Sequence, residues 1–86
     1  PTILPIRAVA HDARVPLELV PALVLGYGAH LAGVHGVAPV DVARVLGGRW
    51  DEALARGELG SRGLLILERS RLCLSPALEQ QLDELP

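Results

Sequence analysis

Three histidines and two aspartates are the side chains of this chain most suited to holding a metal ion. His11 precedes Asp12, while His30 and His35 are five positions apart and Asp41 follows further along. The His30–His35 pair alone is not a standard zinc arrangement, and His11 belongs to a different predicted element from the other histidines. Surface or capping histidines are therefore expected, and no metal ion or cofactor is predicted.

Side chains suited to catalysis or nucleotide binding are sparse. Residues 26–31 (GYGAHL) have two glycines of a dinucleotide-binding loop, but Leu31 occupies the third glycine position, and the chain is too short for the βαβ unit. Ser61, Ser70 and Ser75 have no histidine or aspartate partner at a recognisable spacing. The sequence therefore predicts a protein without catalytic residues.

The single cysteine, Cys73, excludes an internal disulfide and is compatible with a reducing compartment. It lies in the apolar run 72–74, which predicts a buried and unreactive thiol. The N-terminus lacks a basic segment followed by a long apolar run, and the longest apolar stretch, residues 20–27, is too short to span a membrane. We therefore expect a cytoplasmic protein without a membrane partner.

The eight basic residues are all arginines, and five of them lie between residues 49 and 71. Arginine binds phosphates and carboxylates through paired hydrogen bonds, although codon bias in a GC-rich genome also produces such a composition. Four acids in that segment offset the five arginines to a net charge of +1, and the whole chain carries −2. Alternating arginine and glutamate is equally typical of a solvated helix face. The predicted DNA- or partner-binding residues are Arg49, Trp50, Arg56, Arg62, Arg69 and Arg71.

The elements that position these side chains follow from periodicity. The 86 residues are expected to form one domain (1–86), mainly α-helical with a small β-hairpin. Residues 1–15 alternate loosely and contain two prolines, which predicts an extended arm or edge strand. Residues 16–35 predict a core helix that begins or kinks at Pro21. Its predicted buried stripe is Leu17, Val20, Val24, Tyr27, Leu31 and Val34.

The second half of the chain predicts two short helices, a hairpin and a last helix, which makes four helices in all. Residues 39–63 contain the first pair, with Pro39 in the opening turn and two glycines where the first helix ends. Residues 64–74 change to short apolar runs around a polar turn, the pattern of a hairpin. Residues 75–86 predict a C-terminal helix with Ser75 as its N-cap.

A small residue and a glycine occur where a helix-turn-helix needs them, at Ala43 and Gly47. With the helix and hairpin that follow, residues 40–74 resemble a winged helix-turn-helix domain. This resemblance implies that the second helix of the motif, with Arg49, Arg56 and Arg62, enters the DNA major groove, while the hairpin contacts the backbone or minor groove. The first predicted function is therefore DNA binding, in a transcription regulator or a larger regulatory protein.

Residues 38–82 also resemble the winged-helix module that follows the nucleotide-binding domain in STAND-type regulatory ATPases and related bacterial transcription regulators. Residues 61–65 (SRGLL) and 72–74 (LCL) carry this similarity. That family often has a nucleotide-sensing histidine where this chain has Ser75, so nucleotide sensing is not implied. Such modules pack against their own ATPase and need no basic surface. The alternative function is thus a protein-interaction or autoregulatory module, with Trp50 as core residue or anchor, and pairing of two copies through the last helix is a further alternative.

Overall fold

The structure, a computed structural model, describes residues 4–47, 51 and 56–84. Within these ranges the chain is mainly helical and carries a two-stranded antiparallel hairpin, as the sequence predicts. A 3₁₀ turn (Leu17–Leu19) precedes the second helix, and one π-helical turn (Arg56–Gly60) precedes the hairpin. The main elements are α1 (Leu4–Asp12), α2 (Val20–Leu31), α3 (Pro39–Leu46), β1 (Leu65–Glu68), β2 (Arg71–Leu74) and α4 (Pro76–Asp83).

The N-terminal segment is helical, so the extended arm or edge strand predicted for residues 1–15 is wrong for most of its length. Pro5 lies in the first turn of α1, where its missing N–H removes no hydrogen bond. Ile6 and Ala10, four residues apart, are buried, and Val9 packs against the same core. These residues have helical spacing, and they bind α1 to α2.

α2 is the central helix and contacts α1, α3 and β2. It begins at Val20 with Pro21 in its first turn, in agreement with one of the two predicted alternatives. The predicted buried stripe is wrong at Leu17, Leu31 and Val34, which are all exposed. Nearly every residue of this segment is apolar, so the pattern could not define which face is buried. The buried residues are Leu19, Ala22, Leu23, Gly26 and Tyr27.

Small residues on α2 allow it to lie close to the hairpin. A Cβ atom at Gly26 would lie 3.2 Å from Cδ2 of Leu65 and 3.3 Å from Cδ2 of Leu74. Interiors packed this densely respond to a single added methyl group. The face of α2 that carries Gly26 thus packs against the hairpin because glycine has no side chain.

The hairpin predicted over residues 64–74 is confirmed, with a tighter turn than expected. Leu65 pairs with Leu74, and Glu68 pairs with Arg71. Arg69 and Ser70 alone form the turn, with φ of 53° and 63°, the left-handed geometry of two-residue hairpin turns.

Val37 adds a third backbone segment beside the hairpin. Its N–H donates to the Leu72 carbonyl over 2.9 Å, and the Leu72 N–H donates back over 2.8 Å. β2 therefore has a backbone partner on each side, β1 on one and Val37 on the other.

The predicted signals at the ends of α3 and α4 are confirmed. Pro39 opens α3, and Gly47 follows its last residue with φ +65°. The Ser75 hydroxyl accepts the Leu78 N–H over 3.2 Å and caps α4, whose Leu78 and Leu82 enter the core. None of the helices in the described parts of the chain combines the length and hydropathy that a membrane crossing needs.

Candidate interaction surface

The arginines predicted to share one binding face are described only in part. Arg49 and Trp50 lie outside the described residues, and of Arg56 only the backbone is described, at the start of the π-helical turn. Of the predicted second helix, residues 49–62, six residues lie outside the described ranges, and residues 56–60 form the π-helical turn. Whether the predicted arginines share one face can therefore be judged only from the side chains of Arg62, Arg69 and Arg71.

Arg62 is engaged inside the fold. Its Nε donates to the Ala13 carbonyl over 2.9 Å and its Nη2 to the Arg14 carbonyl over 3.4 Å. Its Nη1 donates to the Glu58 carboxylate over 2.7 Å and also to the Glu58 carbonyl. The guanidinium thus joins the loop after α1 to the segment before β1, using the planar fork that distinguishes arginine from lysine.

Arg71 is engaged in a similar way on the hairpin. Its Nε donates to the His35 carbonyl over 2.6 Å and its Nη2 to the Gly36 carbonyl over 3.1 Å. These bonds fasten the loop before Val37 to β2. Arg71 therefore stabilises the contact between this loop and β2, and its Nε and Nη2 donors are occupied by these two carbonyls.

Arg69 alone of these three side chains points into solvent. It is exposed in the hairpin turn and has no ion pair with any residue in the described ranges. The three side chains do not form one shared free basic face, because two of them bind backbone carbonyls within the fold.

Unpaired arginines lie instead at the N-terminal side of the molecule, along a groove of about 630 Å³. Arg7 and His11 are on α1, one turn apart, and Arg14 follows the helix. The other lining residues are apolar. The groove is lined by Arg7, Ala10, His11, Arg14, Val15, Leu17, Val20 and Pro21.

Leu17 is the most exposed large apolar side chain in the described residues, with 85% of its surface accessible. It lies in the 3₁₀ turn between Pro16 and Pro21, where the Leu19 N–H donates to the Pro16 carbonyl over 2.9 Å. Two prolines and a closed turn restrict this backbone. An exposed leucine on a restricted backbone, with basic residues beside it, is a suitable contact for a partner protein.

A second concavity, of about 370 Å³, lies between α2, the hairpin and α4. His30 closes one end of it, since its Nδ1 is 3.5 Å from Oε2 of Glu79 and its Nε2 is 2.9 Å from Oδ1 of Asp83. This imidazole links α2 to α4 through two carboxylates. Across the described ranges, no group of three or more His, Cys, Asp or Glu side chains has an arrangement that could hold a metal ion.

Cys73 lies in the wall of that concavity, and its Sγ is 3.6 Å from Nε2 of His35. Burial raises the pKa of the Cys73 thiol, and the charges of Glu68 and Glu79 raise it further, while Arg71 opposes them. The protonated thiol is a weak nucleophile. The predicted burial of Cys73 is confirmed.

The sequence-based prediction missed the groove around Leu17. Arg7, His11 and Arg14 follow the i, i+4, i+7 spacing of one helix face, which would have indicated a basic stripe. Assigning residues 1–15 to an extended arm removed that periodicity from consideration. The exposure of Leu17 had no sequence signal, since its position matches the stripe predicted to be buried.

Comparison of the chain with protein-family models, with curated proteins and with solved structures gives no match.

Proposed function

We propose that this chain is a non-catalytic winged-helix module that binds another polypeptide through the surface around Leu17. One observation carries the proposal: Leu17, with 85% of its surface accessible, lies beside basic residues in a groove of about 630 Å³. Contiguous apolar surface rimmed by polar residues marks interaction sites, and Val15, Val20 and Pro21 line the groove together with Leu17.

The order of elements supports the winged-helix assignment. α2 is followed by the Val37 pairing and then α3, and residues 48–63 lead into the hairpin and α4. β2 lies between Val37 and β1, so a backbone segment before α3 pairs with the hairpin that would form the wing. The second helix of the motif has residues outside the described ranges, and for these residues the helix stays a prediction.

DNA binding is the second candidate function, and Arg69 favours it. This side chain is exposed at the turn, where a wing would approach a DNA backbone. Against it, the guanidinium groups of Arg62 and Arg71 are occupied by backbone carbonyls. A DNA surface gains affinity from each phosphate that it neutralises, so the loss of two arginines weakens this candidate.

Site-specific photocrosslinking distinguishes the two functions. A benzoylphenylalanine replaces Leu17 in one variant and Arg69 in a matched variant, and both are irradiated in cells of the source organism. Protein binding predicts a polypeptide crosslink from position 17 that survives nuclease treatment and none from position 69. DNA binding predicts the reverse pattern, with a nucleic-acid adduct at position 69.

A titration against mixed-sequence duplex DNA completes the test. Non-specific affinity for DNA is greatest at low salt and falls steeply between about 50 mM and 200 mM. Protein binding alone predicts no saturable association at the lower concentration. Saturable, salt-sensitive binding, together with no crosslink from position 17, would overturn the proposed function in favour of DNA.

A further inference from the structure

The residues that line the groove around Leu17 include two arginines and one histidine, Arg7, Arg14 and His11, and no acid. The exposed acids Asp12 and Glu18 are sequence neighbours of His11 and Leu17 but are not among the lining residues. Neither arginine side chain forms an ion pair within the described residues, and His11 has only an exposed contact with Asp12 at 3.7 Å. Exposed pairs of this kind contribute little. The surface therefore attracts carboxylates.

Hydrogen bonds tie the backbone on one side of the groove to the rest of the fold. The Val15 N–H donates to the Ala10 carbonyl over 3.0 Å, closing the chain after α1. Arg62 fixes the same loop by donating to the carbonyls of Ala13 and Arg14. Preorganisation of this kind reduces the ordering cost of binding.

A small molecule does not fit this surface well. Sites for small ligands enclose most of the ligand surface, whereas Leu17 projects with 85% of its surface accessible. An extended partner can cover Leu17 and reach Arg7 and Arg14 together.

A second copy of the chain does not supply the complementary surface through α4. Glu79 and Asp83 contact His30, and Leu78 and Leu82 are buried in the core. The described part of α4 thus has no exposed large aliphatic side chain to place against the groove.

We infer that this groove binds an acidic segment of another polypeptide, which sets an aliphatic side chain against Leu17 and carboxylates against Arg7 and Arg14. The inference rests on the proposed function and specifies the chemistry of the partner. The apolar contact supplies affinity, and the two guanidinium groups supply the preference for acidic sequences.

Fluorescence anisotropy with defined peptides tests this inference. The probe is a blocked, fluorescein-labelled peptide of sequence Glu-Leu-Glu-Glu-Leu-Leu-Glu-Glu-Leu-Glu. One control peptide has lysine at every glutamate position, and another has serine at every leucine position. The full chain should bind the probe, with affinity falling as salt rises, and should bind neither control.

Variants of the chain locate the binding site. Leu17→Ser should weaken probe binding at least about tenfold, as expected for a central apolar contact. The double variant Arg7→Glu/Arg14→Glu should weaken probe binding to a similar extent and should bind the lysine peptide. Arg69→Glu, a charge reversal of an exposed arginine elsewhere, should leave the affinity unchanged. All substituted side chains are exposed, so melting temperatures should stay near that of the parent chain.

Three results would overturn the inference: no saturable binding of the probe, equal binding of the serine peptide, or an affinity insensitive to Leu17→Ser. If position 17 nevertheless crosslinks to a polypeptide, protein binding stands and only the acidic partner is rejected. If position 17 gives no polypeptide crosslink, the proposed function fails as well.

Discussion

Gly36 occupies a position with too little room for a side chain. Its φ is +65°, and a Cβ atom there would lie 2.5 Å from Sγ of Cys73 and 2.7 Å from the Leu72 carbonyl oxygen. Gly36→Ala should lower the free energy of unfolding by about 2–4 kcal/mol, through overpacking and left-handed backbone strain. Urea denaturation measures this loss.

Gly33 provides the matched control for that substitution. Its φ is +73°, but a Cβ atom there would meet no atom within 4 Å. Gly33→Ala should therefore show the backbone strain alone, about 1–2 kcal/mol. Equal losses at the two positions would show that contact with Cys73 and Leu72 contributes nothing.

The Cys73 thiol makes stability depend on pH in the alkaline range. Its pKa is raised in the folded chain, first by burial and then by Glu68 and Glu79. The folded state then holds this proton more tightly than the unfolded state, so stability should fall as pH rises above about 8.5, the ordinary thiol pKa. Urea denaturation from neutral to alkaline pH should show this decline, and Cys73→Ala should remove it. An identical decline in Cys73→Ala would contradict the assignment to this thiol.

At the scale of elements, the N-terminus of α4 depends on one hydroxyl group. Ser75 Oγ accepts the Leu78 N–H and donates to the Gly63 carbonyl over 2.6 Å. Ser75→Ala should cost about 1–2 kcal/mol, because it removes an N-cap and leaves a carbonyl without its partner. Thermal unfolding checks this, with Ser61→Ala as control, since Ser61 is exposed in a turn. A loss at Ser61 as large as that at Ser75 would exclude the capping explanation.

The elements that could be predicted from sequence are those with local chemical signals. Ser75 before a proline predicts α4, and the change from helical to short apolar runs predicts the hairpin. α1 is hard to predict because Pro5 is compatible both with an edge strand and with the first turn of a helix, where a proline removes no hydrogen bond. In α2 the existence of a helix was predictable, but its buried face depends on contact between Gly26 and the hairpin, which no local pattern shows.

The candidate site was less predictable than the fold because its parts are distant in sequence. Selecting Arg62 and Arg71 by residue type was reasonable, yet their partners lie 49 and 36 positions away, at Ala13 and His35. A local sequence pattern does not indicate which distant backbone carbonyl will accept a hydrogen bond from a guanidinium group. Leu17 was assigned to the core for the same reason, since its exposure depends on the path of the chain between α1 and α2.

Arg62 links two segments of the molecule that are distant in sequence. It holds Ala13 and Arg14, which follow α1, and Glu58, which precedes the hairpin. Arg62→Ala should lower the free energy of unfolding by about 1–3 kcal/mol, as expected for lost hydrogen bonds from a charged donor. Arg62→Lys should recover little of this, because an ammonium group cannot reproduce the planar fork.

The same link predicts a functional effect away from the substituted residue. Arg62 does not line the groove, but it donates a hydrogen bond to the carbonyl of Arg14, and Arg14 is a lining residue. Arg62→Lys, measured where it is fully folded, should therefore weaken binding of the acidic peptide through loss of preorganisation, while Arg69→Lys leaves both binding and stability unchanged. Peptide anisotropy on the two variants checks this together with urea denaturation. Unaltered affinity in a destabilised Arg62→Lys would show that Arg62 supports the fold without ordering the groove.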